Sequence, residues 1–312
     1  MKNVKRYAYL LLIPIIALLL GGCGELSKEE KKQEMQMIYE NLIKAEFCSD
    51  MIVKYHKEYE KKSELPFEYQ LGKKGGNLNA EVEYVQKCKN HFEEIRNINK
   101  NLETIIDEHI KSLEAIKEVD FLEKDYQKVR IEHRKLNAIF NLKQAKLVLN
   151  FINSDADLKY QRSQLIYEYY KLETEKEEAE RTKDEEKLKI LKTKATEFET
   201  KVENLETNHK EAVEKLAKDK EQLKNEVENL IQEAYQKANQ TKILNPRDSD
   251  GTFLHDYDID IYDLNIDIRR NELKKYEEVI TYKELINSSK ESVNIDEQRL
   301  KNTRKVLNEI NQ

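Results

Sequence analysis

The stretch LKILKTKATEFETKVENLETNHKEAVEKL, residues 188–216, carries the most regular pattern in this chain. Along it, mostly apolar or small residues recur at alternating steps of three and four, and charged or polar residues fill most positions between them. The recurring set is Leu188, Leu191, Ala195, Phe198, Val202, Leu205, His209, Ala212 and Leu216. This heptad repeat predicts a long amphipathic helix that packs its stripe along another helix in a coiled coil.

Helix-breaking residues are rare in the rest of the chain. After Gly24, glycine and proline occur in only two short windows, so the stretches between the windows favour continuous helices. The first window holds Pro66, Gly72, Gly75 and Gly76, and the second holds Pro246 and Gly251.

The spacing of apolar residues between these windows predicts an all-α fold, an elongated antiparallel helical bundle or coiled coil. We expect a helical hairpin at residues 29–118, long coiled-coil helices at 119–240, a loop at 241–257 and a C-terminal helix at 258–312. Cap-type residues at Asn153–Asp157 predict a break in the second range, and Asn287–Ser289 is a candidate interruption of the last helix. Charged residues make up 37% of the chain, which is also typical of disorder, but the sustained heptads favour helices.

The N-terminus predicts a secretory signal peptide at residues 1–22. Lys2, Lys5 and Arg6 precede an apolar run from Tyr7 to Leu20, and small residues follow it. The run is too short to span a bilayer comfortably. The alternative is an uncleaved N-terminal helix.

Residues Leu20-Gly21-Gly22-Cys23 resemble the lipobox of bacterial lipoproteins. The resemblance implies cleavage before Cys23 and a diacylglyceryl group on its thiol. We therefore expect a protein that is lipid-anchored to a bacterial membrane on its extracytoplasmic side, with residues 23–28 as the lipidated tether. Removal of residues 1–22 takes away three cations and no anions, which changes the formal net charge from −6 to −9. This acidic balance argues against a nucleic-acid partner and against attachment to anionic lipid by charge alone.

The two remaining cysteines, Cys48 and Cys88, lie at equal distances from residue 68, inside the first breaker window. In an antiparallel hairpin with its turn there, the two residues face each other. Because compartments outside the membrane are usually oxidising, we predict a Cys48–Cys88 disulfide. The alternative is two unpaired thiols.

Other groups of residues give weaker indications of a binding site. Asp248-Ser249-Asp250-Gly251 resembles part of a calcium loop, but Pro246 and Tyr257 occupy positions that need ligands, and whether the Asp-rich segment 248–267 binds a cation stays open. Four histidines on the helical stripes favour polar seam positions over metal ligation. Four tyrosines on one predicted helix favour packing at a seam over stacking on sugars. These residues are His56, His109, His133 and His209, and Tyr160, Tyr167, Tyr169 and Tyr170.

No phosphate-binding glycine loop, nucleophile elbow or His-Glu-x-x-His motif occurs in the sequence. We therefore expect no enzymatic activity, no cofactor and no metal site. With its lipobox and repeated Lys/Glu helices, the chain resembles the cell-wall-binding lipoproteins of Gram-positive bacteria. That resemblance implies an envelope-associated binding role and assigns no residue beyond Cys23.

We expect a structural or binding protein at the cell envelope, that is, a spacer, wall-binding protein or adhesin-like scaffold. Its partners are the membrane, through the lipid anchor, and an envelope protein or the cell wall; self-association stays open. The alternative is a membrane-active, toxin-type helical component. The most apolar internal stretch, Ile139–Ile152, contains Lys143 and Lys146 and is too short to span a membrane, which favours the first interpretation.

The lipobox interpretation predicts that Cys23→Ala abolishes acylation, because Cys23 supplies the only thiol of the motif. In the producing bacterium, the variant should take up no labelled palmitate and should be released or stay an unprocessed precursor. Cys88→Ala is the control and should label like the unmodified chain. Palmitate uptake by Cys23→Ala would contradict the prediction.

Overall fold

The computed structural model describes residues 26–63, 78–116, 122, 125–240, 254 and 257–310. Nearly all of these residues are helical, and none of them belongs to a β-strand, so the predicted all-α fold is confirmed. The helices are α1 (Lys28–Ser63), α2 (Leu78–Glu114), α3 (Asp125–Thr182), α4 (Glu185–Gln240), α5 (Ile261–Val279) and α6 (Lys283–Ile310). The predicted signal peptide, Cys23 and both helix-breaker windows lie outside the described residues.

The body of the molecule consists of α1, α2, the first half of α3, α5 and α6. Helix α1 is its central helix and contacts α2, α3, α5 and α6. One stripe of α1, in which residues recur at steps of three and four, is buried except for the half-exposed His56. Its buried members are Met35, Ile38, Leu42, Ala45, Ser49, Ile52 and Tyr59. A second set of side chains on other faces is buried as well: Tyr39, Ile43, Phe47, Met51 and Tyr55. A helix that is apolar on most of its circumference belongs inside a bundle, and α1 occupies that position.

Helices α1 and α3 run parallel. Arg134 Nε donates to Glu46 Oε1 at 2.6 Å, and further along both helices the Tyr59 hydroxyl donates to Asp155 Oδ2 at 2.6 Å. Since both members of the pairs advance in the same direction along the sequence, the two helices point the same way. Helix α3 has 58 residues and α1 has 36, so α3 continues far beyond the end of α1.

Helix α2 runs antiparallel to α3. Asn99 Nδ2 donates to Asn153 Oδ1 at 2.8 Å, and Lys146 Nζ donates to the carboxylate of Asp107 at 2.9 Å. In these pairs the α2 residue number rises as the α3 residue number falls. Helix α2 therefore connects the parallel helices α1 and α3 as the returning element.

The predicted break at Asn153–Asp157 is wrong, because α3 is helical from Asp125 to Thr182. The polar side chains that suggested a cap make tertiary contacts instead: Asn153 accepts from Asn99, and Asp155 accepts from Tyr59. The chain turns later, at Lys183 and Asp184, so the region 157–240 is not one continuous helix.

The turn between α3 and α4 forms without glycine. Lys183 adopts a left-handed backbone with φ of 53°, a conformation that costs a non-glycine residue some free energy. Asp184 then caps α4, since its Oδ1 accepts from the Lys187 backbone N–H at 2.9 Å. The amide of Asp184 also donates to the carbonyl of Ala179 at 2.9 Å, which satisfies an open carbonyl at the end of α3.

The C-terminal segment consists of two helices and not the single predicted one. Helix α5 ends at Val279, and α6 begins at Lys283 and passes through Asn287–Ser289 without interruption. Between them, Ile280 and Tyr282 are buried in the core, so burial of two large side chains accounts for the extended turn. Lys290 Nζ lies 2.6 Å from Glu277 Oε1, which shows that α5 and α6 form an antiparallel hairpin.

The predicted disulfide is absent: Cys48 and Cys88 are free thiols, and both are buried. The prediction assumed symmetric pairing of α1 and α2 about residue 68. The Tyr59 ring instead stacks on His91, with ring centroids 6.3 Å apart, which centres the pairing at about residue 75. On that register Cys48 faces a position about 14 residues past Cys88 on α2, or roughly 21 Å away from it along the helix.

The main hydrophobic core combines α1, α2, the first half of α3 and the α5–α6 hairpin. Its members in α3 follow a heptad from Ile131 to Ala156 and go no further. No described side chain of α4 belongs to this core. The second half of α3 and helix α4 bury a separate set of side chains: Ile166, Tyr170, Ala179, Leu191, Phe198 and Val227.

This division predicts different responses to two truncations. Leu102→Ala, in the main core, should lower the free energy of unfolding by about 2–5 kcal/mol, because it leaves a cavity in a close-packed site. Phe198→Ala, in the separate set, should speed amide hydrogen exchange in residues 158–209 and leave protection of α1 unchanged. Hydrogen exchange with mass spectrometry and urea unfolding measure both effects. Loss of protection in α1 caused by Phe198→Ala would contradict the division.

Candidate functional site

The feature that stands out from the body is the distal arm, which we define as residues 158–182 of α3 and 185–209 of α4. Two ion pairs set its antiparallel register: Lys187 with Glu178 at 2.9 Å and Lys201 with Glu168 at 2.6 Å. Tyr59, near the end of α1, lies level with Asp155, so about 23 residues of α3, roughly 35 Å, extend past α1. The first turns of α2 lie beside the start of this arm, because Phe92 of α2 stacks on Tyr160 and α2 begins at Leu78.

Aromatic side chains pack the arm internally. The Tyr169 ring lies 5.7 Å from Tyr170 and 6.0 Å from Phe198, measured between centroids. At the base of the arm, Tyr160 stacks on Phe92 of α2, with centroids 5.9 Å apart. These three tyrosines therefore pack at helix seams, as the sequence favours.

A cavity of about 290 Å³ lies between α3 and α4 at the root of the arm. Its residues occur at helical spacing on both walls, so the two facing stripes are separated here. The lining residues are Asp155, Leu158, Lys159, Arg162, Leu165 and Ile166 from α3, and Val202, Leu205, Glu206 and His209 from α4. Of the five aliphatic residues, Ile166 is buried, and Leu158, Leu165, Val202 and Leu205 remain half-exposed.

A polar network lies at the end of this cavity that is nearer the body. Asp155 Oδ2 accepts from the Tyr59 hydroxyl at 2.6 Å and from Lys159 Nζ at 2.5 Å. The Lys159 ammonium also lies 5.1 Å from the centre of the Tyr59 ring, within cation–π range. Burial and the hydrogen bond to Asp155 raise the pKa of Tyr59, so the hydroxyl stays protonated and donates. The network fixes Lys159 at the boundary between the body and the arm.

A second polar cluster lies inside the body, where α5 docks on α1 and α2. His109 is 7% exposed and Glu272 is 3% exposed, and His109 Nε2 lies 3.8 Å from Glu272 Oε2. Neither atom has a hydrogen-bond partner among the described residues, although Lys275 Nζ bonds the other carboxylate oxygen at 2.7 Å. Burial lowers the pKa of His109 to about 4, against the opposing effect of Glu272. His109 is therefore neutral near pH 7.

The thiol of Cys48 adjoins this cluster, close to Tyr276 and Glu272. Burial raises its pKa to about 12, so the sulfur stays protonated and is a poor nucleophile. Burial also raises the pKa of Tyr276. The cluster thus consists of neutral, enclosed groups around one carboxylate, an arrangement that serves packing and has no activated nucleophile.

The sequence reasoning did not single out Glu272. The available signal was its spacing, since it lies four residues after Ile268 and four before Tyr276, both buried. A carboxylate on a buried stripe marks a tertiary partner, which here is His109.

The structure does not bring the predicted histidines together. His109 is buried, His56 pairs with Glu60 at 3.5 Å, His133 lies beside Asn137, and His209 is exposed in the arm. Within the described residues, no group of three or more His, Cys, Asp or Glu side chains is placed to hold a metal ion.

The described part of the Asp-rich segment uses its carboxylates internally. Asp260 caps α5 by accepting from the backbone N–H of Tyr262 and Asp263. The Arg304 guanidinium pairs with both Asp260 and Asp263. Of the remaining part of this segment, Leu254 is buried, and residues 248–253, 255 and 256 lie outside the described residues.

The apolar stretch Ile139–Ile152 lies in α3, where Leu142, Ala145 and Leu149 contribute to the main core. Of the helices that the structure describes, none is long and apolar enough to cross a membrane.

No protein-family model, curated protein or solved structure matches this chain.

The buried His109 predicts a loss of stability on acidification. Its pKa is about 4 in the folded protein and 6.5 as the ordinary value, so the unfolded chain binds more protons between these values. The stability that neutral His109 contributes is complete above pH 6.5 and is lost as the pH falls toward 4, by roughly 3 kcal/mol at most. Urea unfolding from pH 7 to pH 4.5 measures this slope.

His109→Gln removes the titrating group, so the variant should lose less stability over the same pH range. His209→Gln is the matched control, because His209 is exposed, and it should behave like the unmodified protein. Equal pH slopes for His109→Gln and the unmodified protein would contradict the assignment.

Proposed function

We propose that this chain is a bacterial lipoprotein, anchored to the extracytoplasmic face of a membrane through Cys23, that holds the distal arm away from the membrane as a structural or binding element. Its partner is an envelope protein or the cell wall, and the role is binding without catalysis. The finer roles of spacer, wall-binding protein and adhesin-like scaffold differ only in what the arm contacts.

The single observation that carries this proposal is the parallel arrangement of α1 and α3. Cys23 precedes the start of α1 by five residues, so an anchor there belongs to the end of the body where α1 begins. Helix α3 points the same way as α1 and is about 87 Å long. The arm tip at Lys183–Asp184 is therefore at the opposite end of the molecule from the proposed anchor.

The charge pattern of the arm supports a binding role. Glutamate and lysine alternate over its outer surface, and several pairs bridge α3 and α4, such as Lys194 with Glu175 at 3.3 Å. Exposed pairs of this kind contribute little to stability, about 0–1 kcal/mol each. Charges that complement those of a partner steer and orient it. Helix α4 has 56 residues outside the main core and presents charged side chains over an extended surface.

Site-specific photo-crosslinking in intact cells tests the proposal. A photoreactive residue at Lys192, which is exposed in the arm, should give defined crosslinks to an envelope component. The matched control is Lys274, exposed on α5 of the body, which should give few or none. Crosslinking from Lys192 should also be lost in the Cys23→Ala variant, because the released chain no longer holds the arm at the envelope.

Two outcomes would contradict the proposal. Crosslinks from Lys274 but none from Lys192 would place the binding surface on the body. Unchanged crosslinking from Lys192 in Cys23→Ala cells would show that the interaction does not depend on the anchor.

A further inference from the structure

We propose that the cavity at the root of the arm is a binding site for a single-chain amphiphile, an aliphatic tail that carries a carboxylate or comparable acceptor head group. This inference goes beyond the proposed function, because it requires neither the anchor nor an envelope partner.

The upper part of the cavity matches an aliphatic tail. In the antiparallel register, Leu165 and Ile166 of α3 lie level with Val202 and Leu205 of α4, and Leu158 lies nearer the body. Four of the five aliphatic residues are half-exposed, as Leu188 and Leu216 are elsewhere on the α4 stripe. An apolar occupant of the cavity would remove more of their surface from water, at about 25 cal/mol per Å².

The size of the cavity also fits. A volume of about 290 Å³ lies near the lower end of the range of roughly 300–1,000 Å³ for small-molecule sites. It is far larger than the space that one water molecule needs. A short acyl chain is therefore a better match than water or a large ring system.

The polar groups are concentrated toward the body end of the cavity. Lys159 and Arg162 place two cationic groups in the α3 wall, and the His209 imidazole lies across from them on α4. The ammonium of Lys159 has three N–H donors, and one of them is used on Asp155. The site therefore offers a head group a charged donor that is already held in place.

The two carboxylates of the lining, Asp155 and Glu206, do not make the site prefer a cationic head group. Asp155 Oδ2 already accepts from Tyr59 and from Lys159, so that oxygen is engaged by donors of the protein. Glu206 is exposed on α4. In the antiparallel register it lies about level with Arg162 of α3. A head group with acceptor oxygens fits this end, and a cationic head group would meet Lys159 and Arg162 unfavourably.

Isothermal titration calorimetry with decanoate, below its micelle concentration, tests the inference on the purified chain. We expect one site per chain, weaker binding of decanol and no binding of decyltrimethylammonium. Leu205→Trp fills the cavity and should weaken decanoate binding at least tenfold. Val213→Trp is the matched control, since Val213 is 44% exposed on the same helix and outside the cavity, and it should leave binding unchanged.

Two further variants keep the test decisive. Val202→Phe replaces Leu205→Trp if the latter lowers helix content, and it should weaken decanoate binding in the same way. Lys159→Gln should weaken decanoate binding at least fivefold and leave decanol binding unchanged, because only the carboxylate uses the ammonium charge. Equal binding of decanoate by Lys159→Gln and by the unmodified chain would overturn the head-group assignment.

The amphiphile has two possible sources, a free fatty acid or the acyl chain of a membrane lipid. A lyso-phosphatidylglycerol with a ten-carbon chain, titrated beside decanoate, distinguishes them by which binds more tightly. Binding of neither probe up to its solubility limit would overturn the inference, as would equal binding of decanoate and decyltrimethylammonium.

Discussion

The burial of α1 on most of its circumference is the constraint on which the rest of the structure depends. Side chains such as Met35, Leu42 and Met51 are fully buried, and each contributes about 1.5–3 kcal/mol relative to exposure. The ion pairs on the same helix, such as Lys44 with Glu40, are partly exposed and contribute at most about 1 kcal/mol. Apolar packing therefore sets the position of α1, and charged pairs only refine it. Once α1 is enclosed by four helices, the direction of α3 and of its arm follows.

The helix content follows from local patterns, and most of the helix ends do not. Proline and glycine mark the window between α1 and α2, so the sequence predicts both helices to within a few residues. The turns at Lys183–Asp184 and Ile280–Tyr282 contain neither residue, and they form because of a capping aspartate and of buried side chains, respectively. Asn153 and Asp155 show the converse, since residues with cap-forming side chains stay within a helix when a tertiary partner donates a hydrogen bond to them.

Contacts between helices were predictable only where the heptad pattern of one helix identifies the helix that it packs against. The heptads of α4 indicate correctly which face meets another helix, but spacing along one helix does not report the distance to the next, so the cavity beside Leu205 could not be predicted. The Cys48–Cys88 pairing failed for a related reason. Symmetry about a loop assumes that both helices end level, and the Tyr59–His91 stack shows that they do not. The spacing of Glu272 indicates a buried carboxylate, but identifying its partner His109 required knowledge of the docked α5–α6 hairpin.

Separation of the arm from the main core has a thermodynamic consequence. Regions with few buried side chains open at a lower free energy than the core, and α4 has only Leu191, Phe198 and Val227 buried among its described side chains. The gap at the arm root is the place where α3 leaves the main core. A molecule that binds this gap in the folded chain stabilises the α3–α4 pair by mass action. The arm is therefore held by the few side chains of the α3–α4 seam, whereas the enclosure of α1 holds the body.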